Sequence, residues 1–220
     1  MTVHDPDVRI PTGRESVNAD LTIPQDARGI IVFAHGSGSS RHSPRNTASA
    51  DELNRNGFAT LLADLLTMNE EARDEWTREY RFDIELLARR VVDVIDWVLA
   101  EPRTRDLAIG GFGASTGAAA ALVAAARRPE QVRAVVSRGG RPDLAGESLR
   151  SVWAPTLLIV GSLDIEVLDL NRVALRELPG PSALEIVPGA THLFPEPGAL
   201  ERVNQLAVDW FARYVTKTGS

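Results

Sequence analysis

Short, near-continuous apolar runs punctuate the chain: "GIIVFAH" (29–35), "FATLLADLL" (58–66), "LAIGGFGA" (107–114), "VRAVVS" (132–137), "TLLIVG" (156–161) and "ALEIVP" (183–188). A strand with one wet face alternates apolar and polar residues; a strand covered on both faces, as in a parallel sheet, does not. Longer segments with helical spacing lie between the runs, at 46–56, 82–100, 116–128, 166–178 and 198–214. In 82–100 the apolar positions Ile84, Leu87, Val91, Val94, Ile95 and Val98 fall on one helical stripe. Strand and helix in alternation predict an α/β chain: a mostly parallel open sheet with helices on both faces. Residues 7–23 predict two further strands ahead of it.

The connections limit what can be added to that sheet. About 18 residues separate Ser137 from Thr156, enough for one short helix and no cap domain. The segment 67–81, "TMNEEARDEWTREYR", reads as a polar connection, with Trp76 and Tyr80 as candidates for a pocket wall. The 220 residues are expected to form a single domain, with 1–6 and 216–220 as loose tails. A chain of this size buries roughly 70% of its unfolded surface, so a full core is available.

Composition removes several function classes. A net charge of −6 with no basic stripe excludes nucleic acid as the expected partner. With no cysteine there is no disulfide, thiolate metal site or cysteine nucleophile. No His/Asp cluster has ligand spacing, so neither metal nor cofactor is expected. The N-terminus "MTVHDPDVRIPTGRESV" has no apolar core of a signal peptide, which makes the cytoplasm the default. The expected state is a monomer or homodimer. The only lysine, Lys217, lies in the tail.

The uncharged run from Leu107 to Ala126, with "IGGFGASTGAAAALVAAA" inside it, admits three readings. It is long enough to span a membrane. But it is mostly alanine and glycine, and four glycines within eight residues would cost a helix roughly 1 kcal/mol each. Gly111, Gly113 and Gly117 could form a dinucleotide loop. Such a site wants an acidic residue at the end of the next strand, where this chain has Ser137-Arg138, so an NADP-binding reductase stands as an alternative. The third reading is a nucleophile turn, Gly113-Ala114-Ser115-Thr116-Gly117, in which glycines two residues either side of Ser115 let strand and helix crowd together.

The third reading makes further demands, and the sequence meets them. A serine needs a base, and the base needs an orienting acid. After a nucleophile elbow the order is serine, acid, histidine, each following a later strand. Asp164 follows "TLLIVG" and His192 follows "ALEIVP". Glu166 and Asp143 are alternative acids; His4, His35 and His42 are alternative bases, though His35 reads better as support for its loop. The helix beginning at Thr116 offers its backbone N–H to developing negative charge. A second N–H is expected from Ser37, in "HGSGSSRHSPRN" after the strand 29–35. Arg41, His42, Arg45, Arg138 and Arg141 lie on loops expected at the same sheet edge; one or more would hold a substrate carboxylate, or they pair with Asp64, Asp143 or loop carbonyls.

In "HGSGSSRHSPRN", "GFGASTG", "LDIEV" and "GATHLF" the chain resembles the α/β-hydrolase superfamily, and within it the small, cap-less dienelactone-hydrolase-like proteins. The resemblance implies Ser115, Asp164 and His192 as a triad with Ser37 and Thr116 as backbone oxyanion donors. Dienelactone hydrolases carry cysteine where this chain has Ser115, which shifts the expected substrate from dienelactones to a small carboxylic ester or lactone. A non-catalytic hydrolase scaffold is the other alternative.

Overall fold

The computed structural model describes residues 1–215. Its elements run β1 (Val3–Thr12), β2 (Glu15–Ile23), β3 (Ile30–Ala34), α1 (Pro44–Arg55), β4 (Ala59–Ala63), α2 (Met68–Thr77), α3 (Ile84–Ala100), β5 (Ile109–Ala114), α4 (Thr116–Arg127), β6 (Val132–Arg138), a 3-10 segment (Pro142–Ser151), β7 (Thr156–Gly161), α5 (Ile165–Glu177), β8 (Ser182–Val187) and α6 (Ala199–Tyr214). The strands form one sheet in the order β1-β2-β4-β3-β5-β6-β7-β8. β1 and β2 pair antiparallel, β2 meets β4 antiparallel, and every later pair is parallel.

The period-two side-chain alternation of a strand feeds two cores. Ile30, Val32 and Ala34 of β3 enter one, with Leu87, Val91 and Val94 of α3, the buried alanines of α4, and Ala174 of α5. Ile31 and Phe33 enter the other, with Ala50 and Leu53 of α1 and Val203, Ala207 and Phe211 of α6. Phe33 and Phe112 stack there with ring centroids 4.8 Å apart. Each such buried phenylalanine contributes roughly 1.5–3 kcal/mol through area removed from water. Helices thus cover both faces, as the uninterrupted apolar runs predict.

Two expectations require correction. Residues 3–6 are not part of a loose tail: β1 begins at Val3, and Val3, His4 and Asp5 pair with Ile23, Thr22 and Leu21. The other expected tail, 216–220 with Lys217, lies outside the described residues. The polar segment 67–81 is not merely a connection, because Thr67 and Glu70 form a capping box that starts α2. Glu70 N–H donates to the Thr67 hydroxyl at 3.3 Å, and Thr67 N–H donates to the Glu70 carboxylate at 2.8 Å. Helical phasing then turns Glu71, Asp74 and Glu75 towards a cavity and leaves Trp76 88% exposed. Trp76 does not line the site, and neither does Tyr80, whose ring lies beneath the Arg73 guanidinium.

No described helix is long and apolar enough to cross a membrane. The glycines of the uncharged run explain why: Gly110, Gly111 and Gly113 belong to β5, and the helix starts only at Thr116. The dinucleotide-loop reading fails for the same reason, since two of its three glycines are strand residues.

Candidate active site

The loops at the C-terminal ends of β3, β5, β6, β7 and β8 meet at one edge of the sheet, where open α/β sheets bind their ligands. Ser115 occupies the single residue between β5 and α4, at φ 51° and ψ −124°. A positive φ is costly for a residue with a Cβ and persists where the surroundings impose it. Here close packing on both sides imposes it. A Cβ on Gly113 would stand 2.4 Å from the Ala118 Cα. One on Gly117 would stand 2.2 Å from the Ala34 carbonyl oxygen and 2.4 Å from that of His35. Only glycine at both positions lets α4 turn this sharply back on β5 and β3. The elbow is also tied to the next loop, because the Ser115 carbonyl accepts from Arg141 N–H at 3.1 Å and Ala118 N–H at 3.1 Å.

His192 and Asp164 reach the same edge on two braced loops. Leu163 N–H donates to the Ala190 carbonyl at 3.0 Å, and Gly189 N–H donates to the Ser162 hydroxyl at 2.8 Å. These bonds hold the β7 and β8 loops together. His192 Nδ1 lies 2.6 Å from Asp164 Oδ2. A carboxylate only accepts, so Nδ1 carries a proton, and in the neutral ring that leaves the lone pair on Nε2. Glu166 and Asp143 do not take this place: Glu166 lies in the first turn of α5, and Asp143 pairs bidentately with Arg141 at 2.8 and 2.9 Å. Ser115 and His192 line one pocket of about 270 Å³, with Gly36, Ser37, Arg45 and Arg138. Among the described residues no hydrogen bond joins the two side chains, so Ser115 Oγ is unengaged. The pocket opens beside a larger cavity of about 800 Å³, walled by residues 35–40 and 42–45 and by α2.

The loop after β3 is held from beneath by His35. Leu65 N–H donates to His35 Nε2 at 3.1 Å, which leaves the ring proton on Nδ1 to donate to the Gly36 carbonyl at 3.0 Å. Desolvation holds the His35 pKa below the ordinary histidine value, outweighing the Gly36 carbonyl and Asp64. The ring is therefore neutral at pH 7, in the tautomer the loop needs. His4 is at the far edge of the sheet, bonded to Thr22. Ser37 N–H points to the hydroxyl of Thr116 at 2.9 Å, a contact that sequence reading had no means of finding. The Thr116 backbone N–H, at the first position of α4, has no intrahelical acceptor.

The arginines divide. Arg41 is structural: its side chain bridges Asp20 at 3.0 Å and Asp64, and it lines neither cavity. His42 sits on the rim of the larger cavity, largely exposed, 3.5 Å from Asp20. Arg45 makes no ion pair among the described residues and lines both cavities. Arg138 is buried to 6% exposure with no carboxylate partner among the described residues; it donates to Asn46 Oδ1 at 2.8 Å, and its guanidinium carbon lies 5.5 Å from the Phe112 ring centroid. Burial, with the Arg45 charge beside it, pushes its pKa down to about 10. It stays protonated at pH 7. No group of three or more described His, Asp or Glu residues could hold a metal ion.

Residues 27–217 match the family described as alpha/beta hydrolase domain. The chain is 57% identical over 217 residues to proteins from two strains of Mycobacterium tuberculosis that are named as phosphoribosyl transferases. The match takes in 99% of this chain and 48% of theirs, so the chain spans about half the length of these curated relatives. Among solved structures, dienelactone hydrolase from Anabaena variabilis is 54% identical, superposes with a TM-score of 0.95, and is matched over 97% of this chain and 99% of its own. Est1E from Butyrivibrio proteoclasticus, at 16% identity, shares the fold with a TM-score of 0.77 over 94% of this chain and 100% of its own.

Proposed function

The chain belongs to the α/β-hydrolase family, among its dienelactone-hydrolase-like members, and we propose that it is a serine hydrolase of a small carboxylic ester or lactone. One observation carries the reading: Ser115 stands on a strained elbow in the same pocket as His192, whose Nδ1 is held by Asp164 at 2.6 Å. With its tautomer fixed, His192 has a free Nε2 to take the Ser115 proton as Oγ attacks the acyl carbon. The oxyanion forms beside the N–H at the start of α4, where the helix dipole and an unpaired donor favour negative charge. His192 returns the proton to the leaving alcohol. Water, deprotonated by the same histidine, then releases the acyl group from Ser115. No cofactor enters this sequence, and its partner is the small-molecule substrate alone. The transferase name of the longer mycobacterial relatives is not carried over, because the elbow offers a nucleophile rather than a loop for a pyrophosphate.

Arg45 and Arg138 sharpen the substrate. Two cations line the pocket of the nucleophile without a carboxylate partner among the described residues, in a protein of net negative charge. An ester carrying a carboxylate would supply the missing partner, each charged hydrogen bond contributing about 1.5–3 kcal/mol. The test compares kcat/KM for a neutral aryl ester, its carboxylate-bearing analogue and a long-chain ester, in the parent and in Arg45→Gln and Arg138→Gln. The carboxylate ester is expected to lead by about tenfold or more, and Arg45→Gln to remove most of that lead. A preference for the long-chain ester, or a ratio untouched by both changes, makes these arginines structural. Failure to turn over any ester or lactone removes the serine-hydrolase reading itself.

A further inference from the structure

The expected oxyanion donor Ser37 does not point its N–H into open space. It donates to the Thr116 hydroxyl at 2.9 Å, across the gap between the β3 loop and the head of α4. Thr116 is 3% exposed and fixed by its place at the first position of the helix. A hydroxyl has two lone pairs and one proton. Ser37 takes up a lone pair, and among the described residues no protein acceptor takes the proton. The nearby carbonyl of Ser115 is already saturated by Arg141 and Ala118. The Thr116 hydroxyl proton therefore has no protein acceptor among the described residues, on the residue that directly follows Ser115 and whose own N–H is unengaged at the head of α4.

We propose that the Thr116 hydroxyl is itself an oxyanion donor, and that Ser37 is a positioning residue acting through it. This rests on the serine mechanism above. As Ser115 Oγ bonds to the acyl carbon, the carbonyl π electrons move to its oxygen and His192 holds the serine proton. The oxyanion then receives two hydrogen bonds from one residue, Thr116 N–H and Thr116 O–H, with no further proton transferred. The Ser37 N–H, bonded to the same hydroxyl oxygen, polarises that O–H and strengthens its donation. The arrangement differs from a hole made of two backbone N–H groups, in which the side chain after the nucleophile has no part.

The alternative, in which the hydroxyl merely obstructs Ser37, gives the opposite result on substitution. Thr116→Val keeps the shape and removes the hydroxyl, and frees Ser37 N–H. Steady-state ester hydrolysis by Thr116→Val is expected to lose about 10²-fold in kcat with KM little changed, in line with removal of one oxyanion donor. Affinity for an aryl boronic acid, which forms a tetrahedral adduct with a nucleophilic serine, should fall in parallel. Thr116→Ser keeps the hydroxyl and should remain within a few-fold of the parent; should Thr116→Val not fold, the pair Thr116→Ser and Thr116→Ala makes the same comparison. A Thr116→Val kcat equal to or above the parent overturns the proposal, as does a Thr116→Ser loss as large as that of valine. Ser115→Ala in the same assay separates the two claims: if it stays active, the serine mechanism fails whatever Thr116 does.

Discussion

Ser115→Ala is expected to fold as the parent does and to lose about 10⁴-fold or more in ester turnover, with no burst of product. The fold should survive because Ser115 Oγ makes no hydrogen bond among the described residues, so removing it leaves no partner orphaned. Alanine also accepts the same backbone no worse than serine. Activity should not survive, because the chain has no cysteine and the other serines of the pocket, Ser37, Ser39 and Ser43, sit on a different loop from the elbow. Circular dichroism and thermal melting check the fold; stopped-flow hydrolysis of an aryl ester checks the burst. Turnover retained in the purified variant would move the nucleophile elsewhere.

Gly117→Ala should have the second largest effect, and by a different route. The new Cβ would stand 2.2 Å from the Ala34 carbonyl oxygen and 2.7 Å from the Ala34 carbonyl carbon. Those are backbone atoms at the end of a central strand, so no side chain can swing aside. Either α4 lifts from the sheet or the β3 loop moves. Overpacking of this kind costs typically ~1–3 kcal/mol and more where only backbone can yield, and we expect about 3 kcal/mol here. In a domain of this size that is a fall in Tm of about 6–12 °C. Whatever fraction folds should also lose the Ser37–Thr116 contact, because the same loop carries it. A melting temperature within a degree or so of the parent would show that the elbow is looser than its geometry indicates.

The strands and the elbow were legible because each announces itself locally. An apolar run covered on both faces cannot alternate, and a serine between two crowded surfaces leaves glycine at the flanking positions. Asp164 and His192 were readable for a related reason, each following its strand by a few residues. What was hidden depends on partners distant in sequence. Arg41 looks like its neighbours on a basic loop until the fold brings Asp20 and Asp64 to it; Arg138 reads as one more loop arginine at the sheet edge, until β6 is seen to end on it and α1 to close over it. The start of β1 was missed because "VHDPDV" is polar and carries a proline, and only pairing with β2 makes it a strand. α2 could have been found: Thr67 and Glu70 carry capping-box spacing, and recognising it would have turned Trp76 outward. The Ser37–Thr116 bond spans 79 residues, and no local pattern encodes it.

Reaction with a fluorophosphonate, followed by intact-mass and peptide mass spectrometry, tests most directly whether Ser115 is a working nucleophile. A single adduct is expected, on the peptide that contains Ser115, absent in Ser115→Ala and formed far more slowly in His192→Ala. An unlabelled parent protein, or an adduct that persists in Ser115→Ala, would contradict it.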